Sequence, residues 1–343
     1  MIRFALIALL ALPAFAHAEP DHTAIAERSA AAVAIPASSA FADAANALQA
    51  AAPALCDEID PDALRARFHT AWDAWMALQH LRFGPLEEAD RTLQVAFWPD
   101  SRGTTGKTVA RMLKSEASVF DASGDFAASS VAGRGFHALE RLLYDDQGPI
   151  ALNTPYRCRY VAAVAADLDR LAAEIAQAWA STWAPLMRTA GAASNDVFLA
   201  PEEVSQRLFA TLSGALEETE TARLVKPLGR FDKARPRLAE AWRSGRSLRQ
   251  IRLIIDAAET MMVEVFGPEL SPDGLESAVR AVARAETALA RVEEIGPLPE
   301  AIVESRIRVE VLQQSIAGLS QAMRQVVGPD LGLIEGFNAT DGD

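Results

Sequence analysis

DPDALRARFHTAWDAWMALQHLRFGP, residues 60–85, carries a start signal, a helical period and a stop signal in one run. Asp60 is placed to cap a helix, and Pro61 suits a first turn, where its missing N–H costs nothing. Phe68, Trp72, Trp75, Leu78 and Leu81 then recur at helical spacing, so a helix is expected over 61–82. Phe83-Gly84-Pro85 ends it. His69, Asp73 and His80 fall close to one line on the same helix. A metal could use such a face, but the plainer reading is a polar stripe opposite the Trp72/Trp75 core face.

The same grammar repeats along the chain. Helices are expected over 38–52 (with Phe41, Ala45 and Leu48 on one face), 108–119, 160–183, 201–225, 248–266, 274–291 and 299–327. Another surrounds residues 133–144. No segment alternates with the period of two that a strand needs. Aromatic residues make up only 7% of a chain that is 50% hydrophobic, so aliphatic and alanine residues dominate, as suits helices. The expected fold is all-α, with two helical-bundle lobes in one chain. The expected division is a signal peptide at 1–18, a lead-in at 19–35, an N-terminal helical bundle at 36–190 and a C-terminal helical bundle at 191–343. Phe-Gly-Pro occurs twice, at 83–85 and 266–268, which fits a duplicated bundle or merely a shared stop signal.

The first eighteen residues read as an export signal. Arg3 precedes the apolar run 4–12, and Ala16-His17-Ala18 is a small-x-small cleavage site. The run is too short to span a bilayer. A soluble, exported, periplasmic protein is expected, not a membrane-spanning one. The formal charge of −13 repels nucleic acid, so no nucleic-acid partner is expected. Cys56 and Cys158 are the two cysteines, and in an oxidising compartment two lone cysteines are expected to pair.

Chemistry concentrates in Gly133-Arg134-Gly135-Phe136-His137-Ala138-Leu139-Glu140. His137 and Glu140 are three residues apart, which stacks them on one helical face. Such a pair can bind a metal, exchange a proton or simply satisfy itself in a core, and the residues alone leave these open. Two ligands do not make a tight metal site. Acidic candidates to complete one are Asp100, Glu116, Asp121, Asp125, Asp145, Asp146, Asp341 and Asp343. Ser101 to Thr108 nearly spells a phosphate-binding loop, but Ser101 stands where glycine is required and no strand precedes it. The arginines of 243–249 read as a surface feature.

Gly135-x-His137-x-x-Glu140 resembles the Gly-x-His-x-x-Glu motif of imelysin-like proteins, the M75 peptidase family. The Phe83-Gly84-Pro85 helix end resembles that family too, as do the Phe97-Trp98-Pro99-Asp100-Ser101-Arg102-Gly103 loop, the Ser244-Gly245-Arg246-Ser247-Leu248 turn and the Gly336-Phe337-Asn338 ending. The resemblance implies two helical lobes with the motif near their junction, in a cell-envelope protein associated with iron-regulated uptake. It makes His137 and Glu140 the expected ligands of a divalent or ferric metal ion and Gly135 the backbone element beside them. Asp100, Arg102, Ser244 and Arg246 are further site candidates. The partners implied are a metal ion or small ligand and a cell-envelope protein. A metallopeptidase with Glu140 as base is the alternative, and a non-catalytic envelope interaction protein is a second one.

The cysteine reading makes a simple prediction. Denatured but unreduced protein should show no titratable thiol, and reduction should release both; two thiols before reduction would refute the Cys56–Cys158 pairing.

Overall fold

A computed structural model describes residues 19–53, 61–115, 125–144 and 155–333. The signal segment, Cys56, Glu116, Asp121, Asp145, Asp146, Asp341, Asp343 and the 336–338 ending lie outside these residues. The described α-helices longer than a single turn are α1 (His22–Ser29), α2 (Ile35–Ala51), α3 (Pro61–Leu78), α4 (Arg91–Val95), α5 (Thr104–Ser115), α6 (Gly135–Tyr144), α7 (Pro155–Ala178), α8 (Ala184–Arg188), α9 (Pro201–Glu218), α10 (Ser247–Glu259), α11 (Pro272–Glu293), α12 (Leu298–Glu304) and α13 (Arg306–Ala322). Among the described residues there is no strand, only one isolated bridge between Arg230 and Lys233. None of the helices there is long and apolar enough to cross a membrane.

The all-α, two-bundle expectation holds. α2, α3, α6 and α7 pack together, as do α9, α10, α11 and α13, and α3 meets α10 between them. Phe41 of α2 joins its bundle, with its ring 5.4 Å from Trp75 and 6.2 Å from Phe136. One continuous cluster of buried apolar residues runs from Ile25 to Leu333 through both bundles.

Helix ends differ from the sequence reading for physical reasons. The segment read as a lead-in is helical from His22, capped by the Asp21 carboxylate, which accepts from the Ala24 N–H at 2.9 Å. It buries Ile25, Ala26 and Ala30 and packs α1 on α9. Proline explains most of the other differences. A proline inside a helix offers no N–H and its ring crowds the carbonyl four residues back. Here the chain widens into a π-helical stretch just before the proline instead of stopping. The stretches Ala30–Ala34, Trp179–Trp183, Thr219–Val225 and Met323–Val327 each run to two residues before Pro36, Pro185, Pro227 and Pro329. The residue before each proline donates five back: Ile35 to Ala30, Ala184 to Trp179, Lys226 to Thr221 and Gly328 to Met323. The expected 299–327 helix is instead broken at Ser305. The two Phe-Gly-Pro stops are not one conformation: Gly84 has φ +57° against the Trp183 ring, and Gly267 has no positive φ.

The helix that carries the motif, α6, is pinned at both ends. Before its start, Arg134 is 3% exposed and forks onto the Asp167 carboxylate of α7 at 2.8 and 2.9 Å, with further bonds to Gln94 and the Ala127 carbonyl. The Tyr160 hydroxyl donates to the Gly133 carbonyl at 2.7 Å. At its end, Arg157 of α7 donates to the carbonyl of Leu142 and Arg65 of α3 to that of Leu143, at 2.6 and 2.9 Å. These cations satisfy carbonyls that no helical N–H reaches and oppose the negative end of the helix dipole.

Gly135 opens α6 at φ +66°, and a Cβ there would collide with the Val95 carbonyl oxygen and lie 2.6 Å from that of Gln94. The backbone of α4 therefore reaches α6 only because this residue has no side chain. Gly135→Ala is expected to destabilise the protein by at least about 2 kcal/mol, from left-handed strain and overpacking together. Denaturant unfolding measures this; a change within about 0.5 kcal/mol, as at an ordinary surface site, would refute the close-approach account.

Candidate functional site

His137 and Glu140 project from α6 into a cleft of about 570 Å³ between the bundles. The first bundle contributes Asp100, His137, Glu140 and Arg141 to its wall, and the 237–243 turn of the second contributes Arg237, Glu240, Trp242 and Arg243. Phe136, next in sequence, faces the core and stacks on Trp72 at 5.2 Å, with ring planes 7° apart. The Trp72 ring also meets the His137 imidazole edge-on at 5.0 Å. The imidazole is thus fixed by aromatic packing rather than by hydrogen bonds.

The motif pair does not satisfy itself. The Glu140 carboxylate turns to the second bundle, where Oε1 accepts from the Ser244 N–H at 3.0 Å and its hydroxyl at 2.7 Å. His137 turns to Glu240, with Nε2 3.6 Å from Oε1, outside hydrogen-bond range. That Nε2 is buried and has no hydrogen-bond partner.

Glu240 is the buried charge of the site. Burial opposes its ionisation, but Arg223 at 2.7 Å outweighs burial, His137 adds to the effect, and the carboxyl is held at about 2. Arg223 is itself buried, also holds Glu218 at 3.0 Å, and lies over the Trp98 ring at 4.7 Å. It projects from the π-helical stretch Thr219–Val225.

A second polar network joins α3 to the start of α10. The Arg246 guanidinium donates to His69 Nδ1 at 3.0 Å, to the Asp73 carboxylate and to Gln250, and lies 5.5 Å from the Trp72 ring. Arg249 holds the same Asp73. Burial opposes the Asp73 charge, yet the two arginines keep its carboxyl below the ordinary range. An arginine can only donate, so His69 Nδ1 accepts and its neutral ring carries the proton on Nε2. That proton points to the Tyr144 hydroxyl at 2.8 Å. Burial first, and then Arg246, lowers His69 to about 4.

The expected polar stripe on α3 is therefore corrected. His69 and Asp73 hold the other bundle, and His80 is 1% exposed, lowered to about 4 by burial. The surface reading of the 243–249 arginines fails for Arg246, which is 2% exposed. Of the other candidates, Ser244 meets Glu140 directly, whereas Arg246 lies behind Trp72 and makes no hydrogen bond to His137 or Glu140. Asp100 lines the cleft and caps α5, its two oxygens accepting from the Thr104 and Thr105 N–H groups at 2.8 Å each. Burial opposes its charge, and these bonds overcome it and lower the carboxyl. The near phosphate loop is thus the first turn of α5. Arg102 is exposed and outside the cleft wall. Asp125 caps the short helical turn Phe126–Ala128. Cys158 is buried and carries no free thiol. Glu240 and Arg223 escape sequence reading because they lie in separate elements, and no local spacing announces them.

The imelysin (peptidase M75) family model matches residues 34–323. The chain belongs to the imelysin family. Its fold is similar to that of an imelysin-like protein from Psychrobacter arcticum 273-4, with a TM-score of 0.78 and 19% identity over 93% of this chain and 100% of that one. It is also similar to a candidate iron-regulated protein A precursor from Parabacteroides distasonis ATCC 8503, with a TM-score of 0.68 and 16% identity over 93% and 98%. No curated protein matches the sequence significantly.

For an imelysin, the described donors fall short of a resident metal centre. The His137 Nε2 is available, but Glu240 is already neutralised by Arg223 and Glu140 is engaged by Ser244. Among the described residues no three His, Cys, Asp or Glu side chains form a group able to hold a metal.

The acid limb of stability follows from these groups. Glu240 titrates near 2 when folded and near its ordinary 4.5 when unfolded, so the unfolded chain binds the extra proton between those values. Its contribution, up to about 3 kcal/mol, is complete above 4.5 and is lost as pH falls toward 2. His69 titrates near 4 rather than 6.5, so between those values stability also falls with falling pH. Glu240→Gln is expected to cost about 3 kcal/mol at pH 7, because it strips a buried arginine of one partner. It should also flatten the profile below pH 4.5; denaturant melts across pH that leave the slope unchanged would contradict this assignment.

Proposed function

We propose that this imelysin is an exported cell-envelope binding protein whose ligand sits on His137 and Glu140 in the cleft between the bundles. The observation that carries this reading is the His137 Nε2. It is a buried nitrogen in a cleft wall, without a hydrogen-bond partner and 3.6 Å from an ionised carboxylate. Buried polar atoms are ordinarily satisfied, and one that is not, in a cleft wall, calls for an explanation such as a bound ion. The N-terminal export signal and a Cys56–Cys158 disulfide belong to the same proposal.

A divalent or ferric metal ion is the ligand that the motif favours. The iron-regulated description of the Parabacteroides distasonis protein supports that choice. Such an ion would take His137 and Glu140 and obtain its remaining ligands elsewhere. The peptidase alternative asks for more, since catalytic zinc sites usually hold three protein ligands beside an open position.

Calorimetric titration of chelator-stripped protein with Zn²⁺ and Fe³⁺ tests the proposal. His137→Ala should weaken binding at least about tenfold, and Glu140→Gln should weaken it in the same direction. Equal binding by wild type and His137→Ala would sink the reading. A lower melting temperature with unchanged binding would instead assign the pair a structural role, as in a non-catalytic interaction protein.

A further inference from the structure

An acidic chain carries one basic loop with an apolar tip. Between Lys226 and Arg237 stand five cations, Lys226, Arg230, Lys233, Arg235 and Arg237, against one carboxylate, Asp232. The whole chain has 33 lysines and arginines against 46 acids, so this loop reverses the local balance. All five cations are exposed.

At the tip of the loop the Phe231 side chain is 89% exposed. The turn that presents it is braced. The Lys233 N–H donates to the Arg230 carbonyl at 3.0 Å and the Arg235 N–H to that of Pro227 at 2.8 Å. Gly229 stands at φ +56°, where a Cβ would lie 2.5 Å from the Lys233 carbonyl oxygen. Arg306 of α13 donates to the carbonyls of Leu228 and Gly229 at 2.7 and 3.2 Å. The phenyl ring is therefore held in water by a built turn. Val225 and Leu238 add exposed apolar surface on either side.

The geometry points to docking of this loop on an anionic phospholipid surface, with Phe231 entering the interface and the surrounding cations meeting headgroup phosphates. Three features favour a lipid surface over an acidic protein. The apolar group projects from the molecule instead of lining a groove. Arg230 and Lys233 flank it in the same turn, and the Arg306 guanidinium lies 5.8 Å from its ring. Lys226, Arg230, Lys233 and Arg235 also border a hollow of about 670 Å³ beside Trp98, roomy enough for a headgroup. Interfacial binding combines such an apolar insertion with attraction to anionic lipid. The rest of the acidic body is repelled by the same surface, which fixes orientation. Arg237 and Leu238 also line the central cleft, so docking turns that side of the cleft toward the lipid. The inference does not rest on what the cleft binds.

Flotation of the purified chain with vesicles tests it, using phosphatidylcholine alone or mixed with phosphatidylglycerol. Binding is expected only to the mixed vesicles and should fall as salt rises. Arg230→Glu/Lys233→Glu should weaken it at least about twentyfold and Phe231→Ser at least about fivefold. The melting temperature should not change, because these side chains are exposed. Equal binding to neutral vesicles, wild-type binding by both variants, or no binding at all would overturn the proposal. So would displacement by soluble glycerol phosphate, which would mark a free-phosphate site, or capture of polyglutamate in place of vesicles.

Discussion

The Arg246 guanidinium, buried where α3 meets α10, sets the relation between the two bundles. Its donors reach His69, Asp73 and Gln250, and its plane lies near Trp72. Removing a charge of this kind from water is costly, and the cost is offset only because Asp73 and several acceptors surround it. The neighbouring turn then follows: two residues before Arg246, Ser244 meets Glu140, and Glu240 comes within reach of His137. The cleft wall is completed by direct bonds of its own, Ser244 to Glu140 and Arg223 to Glu240.

The motif helix is held with equal firmness from its own side. Arg134 binds Asp167 of α7, Arg157 of α7 donates to the last turn of α6, and Arg65 adds a third anchor from α3. Arginines at these positions satisfy carbonyl groups and carboxylates that helix geometry leaves open. His137 in turn sits between the Trp72 ring and a buried ion pair. It is therefore positioned without spending its Nε2 on a protein acceptor.

The helical class was legible because apolar spacing survives in every long segment. His137 and Glu140 were legible too, because a helix brings neighbours three apart onto one face. Gly135 could be singled out as the backbone element beside the pair, although its close approach to α4 could not. Glu240 and Arg223 were hidden, since an ion pair between separate elements leaves no local pattern. His69 and Asp73 look like solvated polar residues until the second bundle covers them. Prolines misled most consistently. Pro36 and Pro227 read as boundaries, but each follows a widened turn that carries the helix past it. In the second case that widened turn also carries Arg223.

The unbroken apolar cluster from Ile25 to Leu333 gives the molecule a particular mechanical character. Two bundles joined by a thin hinge can be separated, swapped or lost independently. Two bundles that share one interior cannot, because parting them would wet faces that neither half can cover alone. α1 deepens this interdependence, since the first described helix leans on α9 from the other half. Sequence order and structural membership are therefore different partitions of this protein, and a cut between its halves would leave neither fragment with a complete interior.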